Sequence, residues 1–168
     1  MLERARKNAS ENGLDIDFRK GNAMALDFHD GSFDAVVSDY MLWTVPDPEK
    51  VISEWMRVLR PGGILAFTDG DWFNDPRSTP LRCRISSFFH SMERRGREDD
   101  DMDGFEEQEL WSRRAQRPAD DVRMAEAAGF SDIRVIHDVQ KKVLHGRRYL
   151  AHGLTNDHYT VVARKKKA

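Results

Sequence analysis

The chain is poor in what would place it outside ordinary folded domains. It has one cysteine, Cys83, so neither an internal disulfide nor a cysteine-based zinc site is available, which suits a reducing compartment. No apolar run approaches the roughly 18 residues of a membrane span, and no signal-peptide pattern is present. Neither charge sign dominates: 27 Lys and Arg stand against 29 Asp and Glu, a net charge of −2. No overall field therefore draws the chain to nucleic acid or an anionic membrane. The basic end, Arg164 to Lys167, reads as a solvated strand end. No internal repeat is visible. The 168 residues suffice for one core, and these absences predict a cytoplasmic α/β domain without nucleic-acid or membrane partners.

What is present alternates between helical and strand patterns. Leu2, Ala5 and Ala9 have helical spacing up to a stop at Asn12-Gly13, yet no capping residue stands ahead of Met1. Ile16-Asp17-Phe18 alternates like a short strand, and the polar stretch GNAMALDFHDGS follows. FDAVVSDY has the apolar centre Ala35-Val36-Val37, the pattern of a parallel strand covered on both faces. Asp47 and Pro48 then open a helix whose rows Val51, Trp55, Val58 and Ile52, Met56, Leu59 are apolar, and Pro61-Gly62-Gly63 stops it. ILAFTDGD reads as a second buried strand, which makes a right-handed parallel crossover.

Residues 70–117 break this alternation. They hold a helix candidate with Leu81, Ile85, Phe88 and Phe89, the acidic run EDDDMDGFEEQE and the short helix candidate ELWSRRAQ. Such a length predicts a lid-like insertion within a single domain spanning 1–168. From Pro118 the regular pattern returns. A helix with Val122, Ala125 and Ala128 ends at Gly129, and strands are expected near Ile133 to Val139 and His158 to Arg164, separated by a long connection.

The stretches MLERARKNA, FRKGNAMAL, FDAVVSDYMLWTVPDPEKVISEWMRVLRPGGILAF and EAAGFSDIRV, in that order and spacing, resemble class I S-adenosylmethionine-dependent methyltransferases of the broad small-molecule, type 11-like kind. The resemblance implies a Rossmann-like, mostly parallel sheet with an antiparallel last strand. The implied order is Ile16–Phe18, the central strand, ILAF, the last strand and then the penultimate one. In the family, a strand with a glycine-rich loop, a helix and a second strand precede the helix that MLERARKNA matches. No GxGxG occurs in this sequence, so the fold is expected as an N-terminally truncated version without the first β-α-β unit. One face of FDAVVSDY should then lie uncovered unless Ile16–Phe18 pairs beside it. An uncovered apolar area of ~400 Å² forfeits on the order of 10 kcal/mol, comparable to a domain's net stability, which predicts a homo-oligomer or a partner chain over the exposed sheet edge.

The resemblance implies S-adenosylmethionine as cofactor, a small-molecule methyl acceptor, and activity compromised or dependent on upstream residues. Its candidate residues follow the C-terminal ends of the parallel strands, where such folds bind ligands. Asn22, Ala23 and Met24 stand where the family commonly has an acid that contacts the adenine amino group, and a plain Gly-Asn turn is the alternative. Ser38, Asp39 and Tyr40 would line the methionine end of the cofactor, with Asp39 or Tyr40 reaching the acceptor; a capping Asp and a packed Tyr are the alternative. Trp43 offers an aromatic face to a sulfonium, or is a core residue. Asp69 and Asp71, beside Trp72, are placed to face the same cleft as bases or acceptor-orienting acids, or else are strand-end solvation. His90, His145, His152 and His158 have no spacing that fixes a metal or a base.

Two other functions compete. One is a non-catalytic interaction subunit that completes its sheet by association. The other is a calcium module: Asp99, Asp101, Asp103 and Gly104 match loop positions 1, 3, 5 and 6, but Leu110 occupies the twelfth, where a bidentate Glu belongs. A solvated acidic linker explains that run better. The aromatic residues Phe73, Phe88, Phe89 and Phe105 of the insertion suggest an apolar or aromatic acceptor.

Overall fold

Four strands form one mixed sheet in the order β1-β2-β4-β3, in a computed structural model that describes residues 2–94 and 110–167. The calcium-like spacing and Phe105 lie outside the described residues. Helix α1 (Leu2–Glu11) comes first, then β1 (Phe33–Asp39), α2 (Pro48–Val58), β2 (Leu59–Gly70), α3 (Pro80–Arg94), α4 (Ala119–Ala127) and β3 (Phe130–Ile136). Two short helices, α5 (Val139–Val143) and α6 (Arg147–His152), fill the connection to β4 (His158–Lys165). β1 and β2 are parallel, whereas β4 runs antiparallel to both β2 and β3, as expected of the last strand.

Helix α2 begins as its sequence dictates. The Asp47 carboxylate accepts the Lys50 N–H at 2.9 Å, and Pro48 occupies the first turn, where a missing N–H costs nothing. Val51, Ile52 and Trp55 are buried against Leu65, Phe67 and Val161 of the sheet, together with Ala125 of α4 and Phe130 of β3. One face of the sheet is thus covered by α2 and α4.

Several expectations change. Ile16–Phe18 forms no strand; Ile16 is half exposed, and the Phe18 carbonyl accepts from Arg6 at 3.0 Å instead of from a neighbouring strand. Two apolar residues flanking an aspartate bury too little to offset the ordering of the segment. Pro61-Gly62-Gly63 does not lie outside the strand but inside β2. The register jumps from Phe33↔Leu59 to Ala35↔Ile64, so the extra residues of β2 bulge past Asp34. A Cβ at Gly63 would meet the Arg60 carbonyl at 2.9 Å, and Gly62 has a φ of +80°, so glycines make the bulge possible. β3 starts three residues earlier than expected because Gly129, with a φ of +98°, ends α4 and delivers Phe130 directly into the core.

β1 is not covered on both faces. Val36 packs against the core, but its neighbour Val37 is 77 % exposed. Helix α3 does not lie over β1; it packs on α6, where Ser86 Oγ donates to the Ala151 carbonyl at 2.6 Å and the His90 and His152 rings stand 5.0 Å apart. Phe88 points to solvent, with Phe89 edge-on to it at 5.4 Å. Among the described residues no helix is long and apolar enough to cross a membrane, and no group of three His, Cys, Asp or Glu side chains is placed to hold a metal.

Candidate functional site

The sheet register brings chemistry-bearing residues to one end. Asp39 lies opposite Thr68 and Gly70 opposite His158, so Tyr40, the Asp69–Trp72 segment and Asp157–His158 emerge side by side. Tyr40 has a φ of 46°, a left-handed conformation uncommon for a bulky residue. Its N–H donates to the Thr68 carbonyl at 2.9 Å, and its own carbonyl accepts from Trp43 Nε1 at 3.2 Å. The phenol oxygen accepts from Gln140 Nε2 at 2.9 Å, and the same amide nitrogen lies 3.1 Å from His158 Nδ1.

Around this junction the aromatic rings pack in sequence: Tyr40 and His158 at 5.5 Å, His158 and Trp72 at 5.0 Å, Trp72 and Trp43 at 5.7 Å. Burial raises the Tyr40 phenol above its ordinary range and lowers the His158 imidazole below its own, so both are neutral at neutral pH. Trp72 Nε1 and Gln140 Oε1 are buried here without a hydrogen-bond partner. One unmet donor and one unmet acceptor at a strand end are the kind of exception that a bound polar group resolves.

Asp39 remains exposed; partial burial and the nearby Asp69 carboxylate raise its pKa. Ser38 beside it is half-buried. Asp69 does not face the cleft as expected. It is fully buried, pairs with Arg117 at 3.0 Å, and accepts the Trp43 N–H at 3.1 Å, so it holds the turn after β1 in place. Asp71 is mostly buried, its Oδ1 accepting the N–H groups of Phe73 (3.3 Å) and Asn74 (2.9 Å), and it borders a cavity shared with Asp157. Asn22 closes its own turn: its Oδ1 accepts from the Met24 N–H at 3.0 Å, while Ala23 and Met24 pack against the core. That geometry is a Gly-Asn turn. The histidines form no metal-holding group among the described residues; His158 packs on Tyr40 and hydrogen-bonds the His152 backbone, the His152 ring stands against His90, and His145 is exposed.

Sequence reasoning missed Arg117 and Gln140. Arg117 is buried between Asp69 and Asp121, reaches Asp121 at 3.1 Å, and donates to the Gly70 carbonyl at 3.2 Å. The Tyr159 hydroxyl donates to the other side of Asp121. The Arg117/Asp121 spacing of four residues was the available signal. Gln140 had none, because its partners Tyr40 and His158 lie 100 and 18 residues away.

Comparison with known proteins agrees with this architecture. Residues 1–67 match the methyltransferase domain family model. The phosphatidylethanolamine N-methyltransferase of Cereibacter sphaeroides is 46% identical over 65 residues, which are 38% of this chain and 32% of that protein. The demethylmenaquinone methyltransferase of Renibacterium salmoninarum is 44% identical over 74 residues, 44% of this chain and 30% of that one. The chain thus spans about a third of the length of these curated relatives. Among solved structures, the cyclase SpnF superposes with a TM-score of 0.62 at 21% identity, covering 99% of this chain and 64% of that one. A S-adenosylmethionine-dependent methyltransferase from Thermotoga maritima gives 0.53 at 19%, covering 98% and 70%. Because a cyclase shares the architecture, the fold by itself does not name a reaction. Residues 1–67 thus match a methyltransferase domain, and the chain shares its α/β fold with solved S-adenosylmethionine-dependent methyltransferases.

Proposed function

We propose that this chain takes part in S-adenosylmethionine-dependent methyl transfer to a small-molecule acceptor, with the donor held where β1 and β2 end. The observation that carries this reading is that the methyltransferase match runs through β1 into β2 and so includes Ser38, Asp39, Tyr40 and Trp43. The residues present suit a sulfonium. Asp39 supplies an exposed carboxylate, and Tyr40, Trp43 and Trp72 supply aromatic faces that attract a cation. Asn22, Ala23 and Met24 would border the adenine side. The donor brings the electrophilic methyl group, while the chain aligns the reactants and excludes water. The match stops at residue 67, short of Asp69 and the elements after it, so the acceptors named for the relatives are not carried over to this chain.

Calorimetric titration of the chain with S-adenosylhomocysteine tests this reading. One-to-one binding is expected, weakened about tenfold by Asp39→Asn through loss of a charged contact. A flat titration overturns it.

A second reading, a subunit that acts by association, is favoured by the exposure of Val37 on a strand whose outer edge has no pairing partner among the described residues. Sedimentation velocity over a concentration series decides: association abolished by Val37→Lys supports it, and a monomer at every concentration removes it.

A further inference from the structure

Next to the aromatic junction is a cavity of about 390 Å³, lined by Asp71, Asp75, Arg77, His137, Asp138 and Asp157 among others. It sits at the same sheet end, since His137 directly follows β3 and Asp157 directly precedes β4. His137 Nδ1 lies 2.5 Å from Asp157 Oδ2, and the other Asp157 oxygen accepts the Asp138 N–H at 3.1 Å. The carboxylate is therefore fixed from two sides while the imidazole remains about half exposed. A histidine held through Nδ1 keeps its Nδ1–H tautomer and leaves the lone pair on Nε2 free to take a proton.

The charges around the cavity select what can enter. Arg77 pairs with Asp75 (3.3 Å), Asp138 (2.6 Å) and Asp157 (2.8 Å). Arg117, which also lines the wall, is committed to Asp69 and Asp121. Against these two guanidinium groups stand the carboxylates of Asp71, Asp75, Asp138 and Asp157, so the lining favours a cation over an anion. These groups are bridged by arginine and form no metal cluster.

We infer that this cavity is the acceptor site, that it takes a small protonated amine, and that His137, held by Asp157, is the base that deprotonates it. The inference rests on the methyltransferase reading and deepens it. The ammonium N–H bond breaks, the proton bonds to His137 Nε2, and the positive charge passes to an imidazolium beside the Asp157 carboxylate. The freed lone pair is what a methyl acceptor needs, since a protonated amine has none. Asp157 supports the step electrostatically: burial alone would raise its pKa, but His137, the Asp138 N–H and Arg77 outweigh burial and keep it ionised below its usual range.

Histidine-labelled chain, examined by long-range nitrogen NMR at about pH 8, above the ordinary histidine range, gives the test. The probes are ethanolamine and its uncharged counterpart ethylene glycol, and His137→Gln assigns the signal. The inference predicts the Nδ1–H tautomer at His137, with an Nε2 resonance that ethanolamine moves and ethylene glycol does not. It also predicts that His137→Gln weakens ethanolamine binding at least threefold while S-adenosylhomocysteine binding is unchanged. An Nε2–H tautomer, no response, or an equal response to both probes overturns it. A normal amine response with no binding of the homocysteine compound breaks the methyltransferase reading alone and leaves the amine cavity standing; the reverse pattern breaks only the cavity assignment.

Discussion

The two faces of the sheet are built from alternate residues of the same strands, yet they have opposite character. Leu65, Phe67, Val161 and Ala163 point towards α2 and α4 and are almost completely buried. Their immediate neighbours belong to the other face, where Val37, Ile64 and Ile136 remain exposed. Across that face Thr68 and Thr160 bond side chain to side chain at 2.9 Å, and Arg164 and Arg134 stand opposite Ile64 and Val162, so polar and charged groups interrupt the apolar side chains. The period of two places residues on faces, but it does not supply a layer to cover them. Stability therefore depends heavily on one face.

The largest asymmetry should appear at the buried polar network on the covered side. Arg117 offsets Asp69 and Asp121 with no solvent exposure of any of the three side chains. Arg117→Ala leaves two buried carboxylates without their cation, and breaking a buried pair in this way costs about 3–5 kcal/mol. A urea midpoint that barely moves would show that the covered layer is less decisive than its burial implies. Burial lifts Asp121 above the ordinary carboxylate range despite Arg117, so this network is costly to form as well as costly to break.

Val36 and Val37 give the comparison its cleanest form, because they are adjacent and chemically identical. Val36→Ala removes two methyl groups from the core side and should cost about 1.5 kcal/mol. Val37→Ala should stay within about 0.5 kcal/mol at low protein concentration, as exposed substitutions do. Equal losses at the two positions, measured in dilute solution, would mean that something already covers the open face.

Much of this arrangement is legible from the chain because it is local. Asp47-Pro48 marks the start of α2, the Val51/Trp55/Val58 row marks its buried side, and Gly129 marks the end of α4, each within a few residues of its physical cause. Strand order and the antiparallel β4 came through the family resemblance. What stayed hidden depends on distant partners. FDAVVSDY looks like a strand buried on both faces, since an uncovered Val37 and a covered Val36 have the same sequence signal. Asp69 looks like a cleft acid until Arg117 claims it. His137 and Asp157 meet only because β3 and β4 pair antiparallel across a connection of two short helices.

The smallest expected effect concerns a clasp between the covered layer and the loop that carries Asn22–Met24. Arg57 of α2 donates to the carbonyls of Leu26 (2.8 Å) and Phe28 (2.7 Å), and Glu54 both bonds Arg57 and accepts the Leu26 N–H at 2.8 Å. Chiefly through Arg57, the Glu54 pKa falls from 4.5 to about 2. A carboxyl whose pKa drops on folding stabilises the fold above its unfolded value, and that contribution is lost as pH falls through the folded one. Glu54→Gln should therefore cost up to about 1 kcal/mol at neutral pH, in keeping with a partly exposed pair. The gap between variant and parent should narrow as the pH is lowered from 4.5 towards 2, the window set by that shift. A gap independent of pH would assign the loop's attachment to the Arg57–carbonyl bonds alone. A loss of S-adenosylhomocysteine affinity in the same variant, at a pH where its stability is still high, would tie the Asn22–Met24 turn to the donor rather than to the covered face.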